Sequence, residues 1–379
     1  MTIYLDCNAT TPMEIEVREA VLKYMTTEFG NAGSRTHEFG ARAKKAVQHA
    51  RDQIAKMLAA EREEVIFTSG ATESNNLAIL GLRDYNTNQK NKPKKHIVST
   101  QIEHKAVLEP LLEMEKFGFE VTLVAPNKAG WVEPAAIREA IREDTLLVSV
   151  MQVNNETGII QPIAEIADML AEHEAFFHVD AAQGFGKEIS TLRNPRISMI
   201  SASGHKIYGP KGIGALIVRR HGYQRVPLKP LMYGGGQERK LRAGTLAVPL
   251  IVGFGVATAL ALKNYEKRAT FCRVFRDKLL KALAPLNPII HGDLDRCVPH
   301  VLNFSIAGVD SEAAMLALKG IVAMSNGSAC TSSSYTPSHV LKAMKLTDEN
   351  IQGALRMSWC HLTEAVDWDE VVERLNRLV

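Results

Sequence analysis

An aspartate and a lysine each follow a short apolar run that predicts a buried β-strand. Residues 175–179 lead to Asp180, and residues 197–201 lead within a few positions to Lys206. At the carboxyl ends of neighbouring strands, these two side chains can hold a flat, electron-withdrawing cofactor from both sides. A lysine can form an imine with an aldehyde, and an aspartate can keep a pyridine nitrogen protonated. Together they are what a protein contributes to pyridoxal phosphate chemistry.

The alternative interpretation of this pair is an exposed lysine beside a helix-capping aspartate. The sequence S-G-H-K at 203–206 and the glycines at 209, 212 and 214 argue against that alternative. We therefore interpret Asp180 and Lys206 as cofactor-binding residues.

A second segment has the pattern of a phosphate-binding site. Residues 65–68 predict a strand, and S-G-A-T-E-S-N-N at 69–76 turns directly into a helix. At such a turn, unpaired backbone N–H groups and the helix dipole both point toward an anion. An ordinary capped helix is the alternative interpretation.

Further polar residues follow predicted strands. His104 comes after strand 96–100 and could lie flat on a ring, although a lone histidine there is more often structural. The polar cluster 152–158 follows the buried strand 146–151, and α/β sheets bind ligands at this position. Arg356 carries the side chain best shaped to bind a carboxylate through two hydrogen bonds.

Cys330 lies in a run of small polar residues, S-N-G-S-A-C-T-S-S-S at 325–334. This composition predicts a poorly buried, mobile thiol, unlike the usual core cysteine. Mobility suits a nucleophile that reaches a substrate and then carries its cargo elsewhere. An inert loop cysteine is the alternative interpretation.

The composition predicts a globular enzyme. The chain has 379 residues, of which 46% are apolar and 23% charged, and its net charge is +3. A charge this small on a long chain gives no reason to expect nucleic-acid or membrane binding. Five cysteines without C-x-x-C spacing argue against a disulfide framework or a structural zinc site. We expect a cytoplasmic protein that binds no metal.

The longest apolar run, 246–262, predicts a buried helix rather than a membrane span. It contains Pro249, Gly253, Gly255 and Thr258, and it falls short of a comfortable bilayer crossing. The first residues, M-T-I-Y-L-D, show no basic region followed by an apolar core, so we expect no secretory signal.

Strands alternate repeatedly with helices, which predicts an α/β fold with a mostly parallel sheet and helices on both faces. We expect a large domain over 16–258. Two helices, 249–265 and 269–283, lead into a smaller α+β domain. That domain is formed by 1–15 and 259–379 and carries the loop with Cys330.

Ten motifs, taken together, resemble one family. They read Y-L-D-x-N-A-T-T-P, F-G-N-x-x-S-R-x-H-x-F-G, S-G-A-T-E-S, E-H-K-A-V, N-N-E-T-G, H-V-D-A-A-Q, S-G-H-K, G-G-G-Q-E-R, R-x-G-T and G-S-A-C-T-S, and the resemblance extends from Tyr4 to about Ser358. This set is similar to the NifS/IscS-type cysteine desulfurases of the class V aminotransferase family. Those enzymes have the fold-type I architecture and use pyridoxal 5'-phosphate. Any one motif is weak evidence, whereas ten in register are specific.

The resemblance implies how the cofactor is bound. Lys206 is the expected covalent attachment point, Asp180 pairs with the pyridine nitrogen, and His104 stacks on the ring and relays protons. Asn155 and Gln183 lie near the phenolic oxygen. The implied phosphate-binding residues are Ala71, Thr72, Ser203, His205 and, from the neighbouring subunit of a homodimer, Thr245.

The resemblance also implies the reaction. Arg356, helped by Asn155, binds the carboxylate of L-cysteine, and Lys206 removes the α-proton. The thiolate of Cys330 attacks the substrate sulfur, which leaves L-alanine and a persulfide on Cys330. The persulfide then passes to sulfur-acceptor proteins.

Some departures from the common family pattern indicate a branch. Residues 31–34 read N-A-G-S in place of N-P-A-S, and R-M-S-W-C from Arg356 replaces R-x-S-L-G. With the segment 234–250 and V-P-H at 298–300, they look most like the DndA branch, which supplies sulfur for DNA phosphorothioation. In that system partner proteins, not this chain, contact the DNA. A housekeeping desulfurase for iron–sulfur clusters and tRNA thiolation is the alternative.

Two hypotheses lie outside this class. A selenocysteine lyase or β-lyase would use the same cofactor site without needing Cys330 as a carrier. A non-catalytic binding platform would be expected to lack Lys206 or Cys330, and both are present.

Overall fold

The structure is a computed structural model that describes residues 2–85, 93–222, 224–326 and 337–379. Cys330 lies outside these residues. The strands are β1 (Ile3–Tyr4), β2 (Val65–Thr68), β3 (His96–Thr100), β4 (Glu120–Val124), β5 (Thr145–Met151), β6 (Phe176–Asp180), β7 (Met199–Ser203), β8 (Gly214–Val218), β9 (Arg220–His221), β10 (Gln224–Arg225), β11 (Ile289–Ile290), β12 (Val301–Ser305), β13 (Val322–Ala323) and β14 (Leu355–Ser358). The α-helices are α1 (Ile15–Thr26), α2 (Glu38–Leu58), α3 (Ala71–Leu80), α4 (Lys105–Lys116), α5 (Pro134–Ala140), α6 (Ile163–Met169), α7 (Val248–Leu283), α8 (Ser311–Ala317), α9 (His339–Ala343), α10 (Asp348–Gln352) and α11 (Trp368–Asn376).

A seven-stranded sheet in the order β2-β8-β7-β6-β5-β3-β4 is the centre of the fold. Only β8 runs antiparallel to its neighbours, so the predicted mostly parallel sheet is confirmed. Its inner strands are buried along their whole length because helices cover both faces. Val148 and Val150 pack with α2 and α7, whereas Leu147, the residue before Val148, packs with α3 and α4.

The N-terminal segment and the C-terminal third of the chain share a second core. Strands β11, β12 and β14 form an antiparallel sheet, and β1 pairs in parallel with β13. Leu5 is buried in the same cluster as Phe275, Phe304 and Trp359. Residues separated by some 350 positions are therefore held together. The domain limits given above, at residues 15 and 258, stay a prediction.

One feature of the helical prediction is wrong. The two helices expected over 249–265 and 269–283 are one continuous helix, α7, because residues 266–268 contain no helix-breaking residue. Among the described residues, α7 is long and apolar enough, by length and composition alone, to cross a membrane. Its buried apolar side chains lie in the two cores, Phe254 in one and Leu279 in the other.

Candidate functional site

A cavity of about 500 Å³ lies at the edge of the sheet where β2, β3, β5, β6 and β7 end. Its lining includes ten residues predicted from the sequence: Ala71, Thr72, His104, Asn155, Asp180, Gln183, Ser203, His205, Lys206 and Arg356. Thr245 is exposed and is not among the lining residues. The fold therefore brings together predicted residues from at least six separate segments.

Asp180 is the last residue of β6, and its side chain is fixed from two sides. It is 4% exposed. Its Oδ2 accepts a hydrogen bond from Asn75 Nδ2 at 2.8 Å, and its Oδ1 accepts one from the Ala182 N–H at 2.9 Å. The carboxylate is thus held rigidly in the lining of the cavity.

Lys206 lies just after β7, at the end of a single helical turn. Its Nζ donates a hydrogen bond to the Ala9 carbonyl at 2.9 Å and another to the Asn8 carbonyl. The Asn8 carbonyl also accepts from Gln183 Nε2 at 2.9 Å. The N-terminal segment therefore positions the lysine from across the cavity.

Helix α3 begins at the cavity. Its first hydrogen bond joins the Ser74 N–H to the Gly70 carbonyl at 3.1 Å, so the helix itself does not use the N–H groups of Ala71 and Thr72. The preceding turn packs closely on β8, where a Cβ added to Gly214 would lie 2.6 Å from Gly70 Cα. This close packing places free backbone donors at one end of the cavity, as a phosphate requires.

Two histidines in the lining are neutral at neutral pH. Burial lowers the pKa of His104, and burial together with nearby lysines lowers the pKa of His205 to about 4. His104 Nδ1 accepts the Ala106 N–H at 3.0 Å at the start of α4. That bond assigns the ring proton of His104 to Nε2.

Arg356 lies on β14 and reaches the cavity from the second core. Its Nη2 is 2.7 Å from Asp6 Oδ1, and its Nη1 donates to the Asn155 carbonyl at 3.0 Å. The side chain is almost fully buried, and its Nε has no hydrogen-bond partner among the described residues. The guanidinium is thus fixed while retaining N–H groups for a carboxylate ligand.

Three residues important to this geometry were not assigned roles from the sequence. Asn75 orients Asp180, Asn8 binds Lys206, and Asp6 pairs with Arg356. Asn8 and Asp6 stand in the motif Y-L-D-C-N-A-T-T-P, and Asn75 lies one helical turn after Ala71. The spacing of Asn75 was therefore a usable signal, since residues four apart share a helix face.

Glu103, just before His104, is a buried carboxyl group whose protonation affects the stability of the fold. Its Oε1 accepts hydrogen bonds from Thr100 Oγ1 and the Met151 N–H, and burial raises its pKa to about 8. The folded state therefore retains a proton that the unfolded chain releases at lower pH, so stability falls as pH rises from about 4.5 to about 8.

We expect Glu103→Gln, which stays neutral, to remove this part of the pH dependence. The urea midpoint of the variant should change less between about pH 5 and about pH 8 than that of the original protein. The exposed Glu115→Gln on α4 is the matched control and should keep the original dependence. Equal pH dependence in Glu103→Gln and the original protein would contradict the prediction.

The residues of the cavity fit pyridoxal 5'-phosphate. Buried side-chain atoms without a partner among the described residues include Asn8 Oδ1, Asn75 Oδ1, Gln183 Oε1 and Arg356 Nε. Such atoms are costly unless a bound group satisfies them. An aspartate for a ring nitrogen, a lysine for an aldehyde and a helix N-terminus for a phosphate surround one cavity. Fold and site define a pyridoxal phosphate enzyme of fold-type I.

The chain belongs to the class V aminotransferase family, whose model matches residues 3–371. The cysteine desulfurase IscS of Methylococcus capsulatus is 46% identical over 370 residues, which cover 97% of this chain and 90% of that protein. The crystal structure of DndA from Streptomyces lividans is 48% identical with a TM-score of 0.82, covering 93% of this chain and 98% of that one. A NifS-like protein superposes with a TM-score of 0.89 at 34% identity, covering 100% and 98%.

Proposed function

We propose that the protein is a cysteine desulfurase, which converts L-cysteine to L-alanine and transfers the sulfur through a persulfide on Cys330 to acceptor proteins. The observation that carries this proposal is the convergence of Lys206, Asp180 and Arg356 on one cavity. Relatives named cysteine desulfurase that align over nearly the whole chain support it.

Some residues of the cavity bind the substrate, and others transfer protons. Arg356 holds the substrate carboxylate, because its guanidinium is fixed by Asp6 and the Asn155 carbonyl. The bound cofactor supplies an aldehyde for the substrate amine and a ring that stabilises negative charge on the α-carbon. Lys206 takes the α-proton, and the neutral His104 relays protons through the N–H at Nε2.

Sulfur transfer requires a thiolate at Cys330. The thiolate attacks the substrate sulfur, so an S–S bond forms while the bond between carbon and sulfur breaks. The electron pair of the broken bond stays with carbon, which is protonated to give alanine. A reductant or an acceptor thiol then removes the persulfide sulfur and returns Cys330 to its starting state.

We expect Cys330→Ser to abolish alanine and sulfide formation from L-cysteine. Serine cannot accept sulfur from the substrate, whereas the visible absorbance of the bound cofactor should persist in the variant. Product is measured with and without dithiothreitol on the purified holoenzyme. Cys297→Ser is the matched control and should keep its activity, since Cys297 is buried and its thiol donates only to backbone carbonyls. Alanine formation that survives in Cys330→Ser would favour a selenocysteine lyase or β-lyase.

The proposal extends to the assembly of the protein. We propose a homodimer in the cytoplasm, with Thr245 completing the phosphate end of the neighbouring subunit's site. Thr245 is exposed, and Tyr233 and Met232 of the same loop region are 80% and 44% exposed. Sedimentation of the holoenzyme measures the mass, and a monomer with full cofactor affinity would contradict the proposal.

We propose that the sulfur is destined for DNA phosphorothioation. The branch-specific segment 234–250 and the DndA structure at 48% identity support this destination. The IscS relatives at 44–46% identity support the housekeeping alternative equally well. Deleting the gene and measuring phosphorothioate nucleotides beside iron–sulfur enzyme activities separates the two. Loss of the first alone supports our proposal, and loss of the second alone supports the alternative.

A further inference from the structure

Three of the four cysteines that the structure describes cluster near Lys187. Cys7, Cys272 and Cys360 are buried, with exposures of 1%, 4% and 1%. All three thiols lie close enough to the Lys187 amine to interact with its charge. None of them lines the cofactor cavity. The proposed desulfurase reaction therefore assigns no role to these three thiols.

Cys7 and Cys360 are in direct contact. The two side chains pack together with Tyr208 in one buried cluster, and the Cys360 sulfur accepts a hydrogen bond from Thr363 Oγ1 at 3.7 Å. Hydrogen bonds to a sulfur favour its thiolate form. In this pair the neighbouring Cys7 thiol lowers the pKa of Cys360 to about 6, and the pKa of Cys7 rises.

A small cavity lies next to the cysteine cluster, although neither Cys7 nor Cys360 lines it. A cavity of about 30 Å³ is lined by Lys187, Tyr208, Cys272 and His300, and Tyr208 packs against both cysteines. A space of this size holds a molecule about as large as water. Hydrogen peroxide is of similar size, so it is an oxidant that the cysteine cluster can admit beside Cys272.

We propose that Cys7 and Cys360 are a redox-active pair that forms a reversible disulfide. The Cys360 thiolate attacks hydrogen peroxide, so a sulfenic acid forms at Cys360 and hydroxide leaves. The Cys7 thiol then attacks that sulfur, the S–S bond forms, and the oxygen leaves as water. The two thiols lose two electrons, and the peroxide gains them.

Each cysteine of the pair lies close in sequence to a residue that lines the cavity. Cys7 precedes Asn8, whose carbonyl accepts from Lys206 and Gln183. Cys360 follows β14, which carries Arg356, and the Cys7 N–H donates to the Ser358 carbonyl at 3.0 Å. Drawing the two sulfurs together shifts both segments. We therefore expect the oxidised protein to bind a carboxylate ligand less tightly.

The test uses the holoenzyme with Cys330→Ser, which removes the thiol assigned to sulfur transfer. After treatment with hydrogen peroxide, peptide mass mapping should find Cys7 linked to Cys360. The Kd for L-alanine, read from the cofactor absorbance, should rise by roughly tenfold to a hundredfold, because small displacements in a site have effects of this size. Dithiothreitol should restore the original Kd.

Two further variants in the same background distinguish this pair from general oxidation. Cys7→Ser should leave the Kd unchanged by peroxide, whereas Cys272→Ser should respond like the parent. Free Cys7 and Cys360 after treatment, or a link through Cys272, would overturn the proposal. A complete Cys7–Cys360 link with an unchanged Kd would overturn its connection to the cavity. The mapping does not depend on desulfurase activity, so the two proposals fail separately.

Discussion

Replacing Lys206 with alanine will lower the rate of alanine formation from L-cysteine by at least about 10⁴-fold. A single positioned acid or base contributes roughly 10²–10⁴-fold, and Lys206 also provides the attachment point for the cofactor. Its Nζ is held in the cavity by the carbonyls of Asn8 and Ala9. The rate is measured on the purified variant supplied with excess cofactor.

A second measurement separates proton removal from sulfur transfer. Exchange of the L-alanine α-hydrogen in deuterated water does not need Cys330, and it should also vanish in Lys206→Ala. The exposed Lys229→Ala is the control and should exchange at the original rate. Exchange in Lys206→Ala within tenfold of the original rate would show that another group is the base.

Asp180→Asn will lower the same rates by roughly tenfold to a hundredfold. A charge-assisted hydrogen bond is worth about 1.5–3 kcal/mol, and each 1.36 kcal/mol corresponds to a tenfold change in rate. Asparagine keeps the size of the side chain but loses the negative charge that keeps a ring nitrogen protonated. Both α-hydrogen exchange and alanine formation should fall together.

The control for Asp180→Asn is the exposed Asp168→Asn on α6, which should behave like the original protein. Thermal unfolding of both variants shows whether they fold. A folded Asp180→Asn protein with rates within threefold of the original would mean that this carboxylate does not pair with the cofactor.

The central sheet and most of its ligand-facing edge could be predicted from the sequence. Parallel strands covered on both faces are continuous apolar runs, and the polar residue that ends each run is visible as a change in composition. Asp180, His104 and Asn155 were found in this way. The predicted strand 197–201 begins two residues later, at Met199, because Pro195 and Arg196 belong to the preceding turn.

Other features could not be predicted because they depend on contacts distant in sequence. The ion pair between Asp6 and Arg356 joins residues 350 positions apart, and no local pattern marks it. The continuity of α7 was missed because charged residues at 266–268 resemble a loop in composition. They remain helical, and Arg268 among them pairs with Glu14 at 2.6 Å.

The N-terminal segment has a consequence for how the protein is made. Asn8 leaves the ribosome early, yet its N–H binds Ser358 Oγ, which is synthesised 350 residues later. Domains generally fold as the chain emerges, starting from the N-terminal side. Here Asp6 and the Asn8 N–H reach their partners on β14 only after residues 356–358 have been synthesised. The cavity therefore gains Arg356, paired with Asp6, only after β14 has been synthesised.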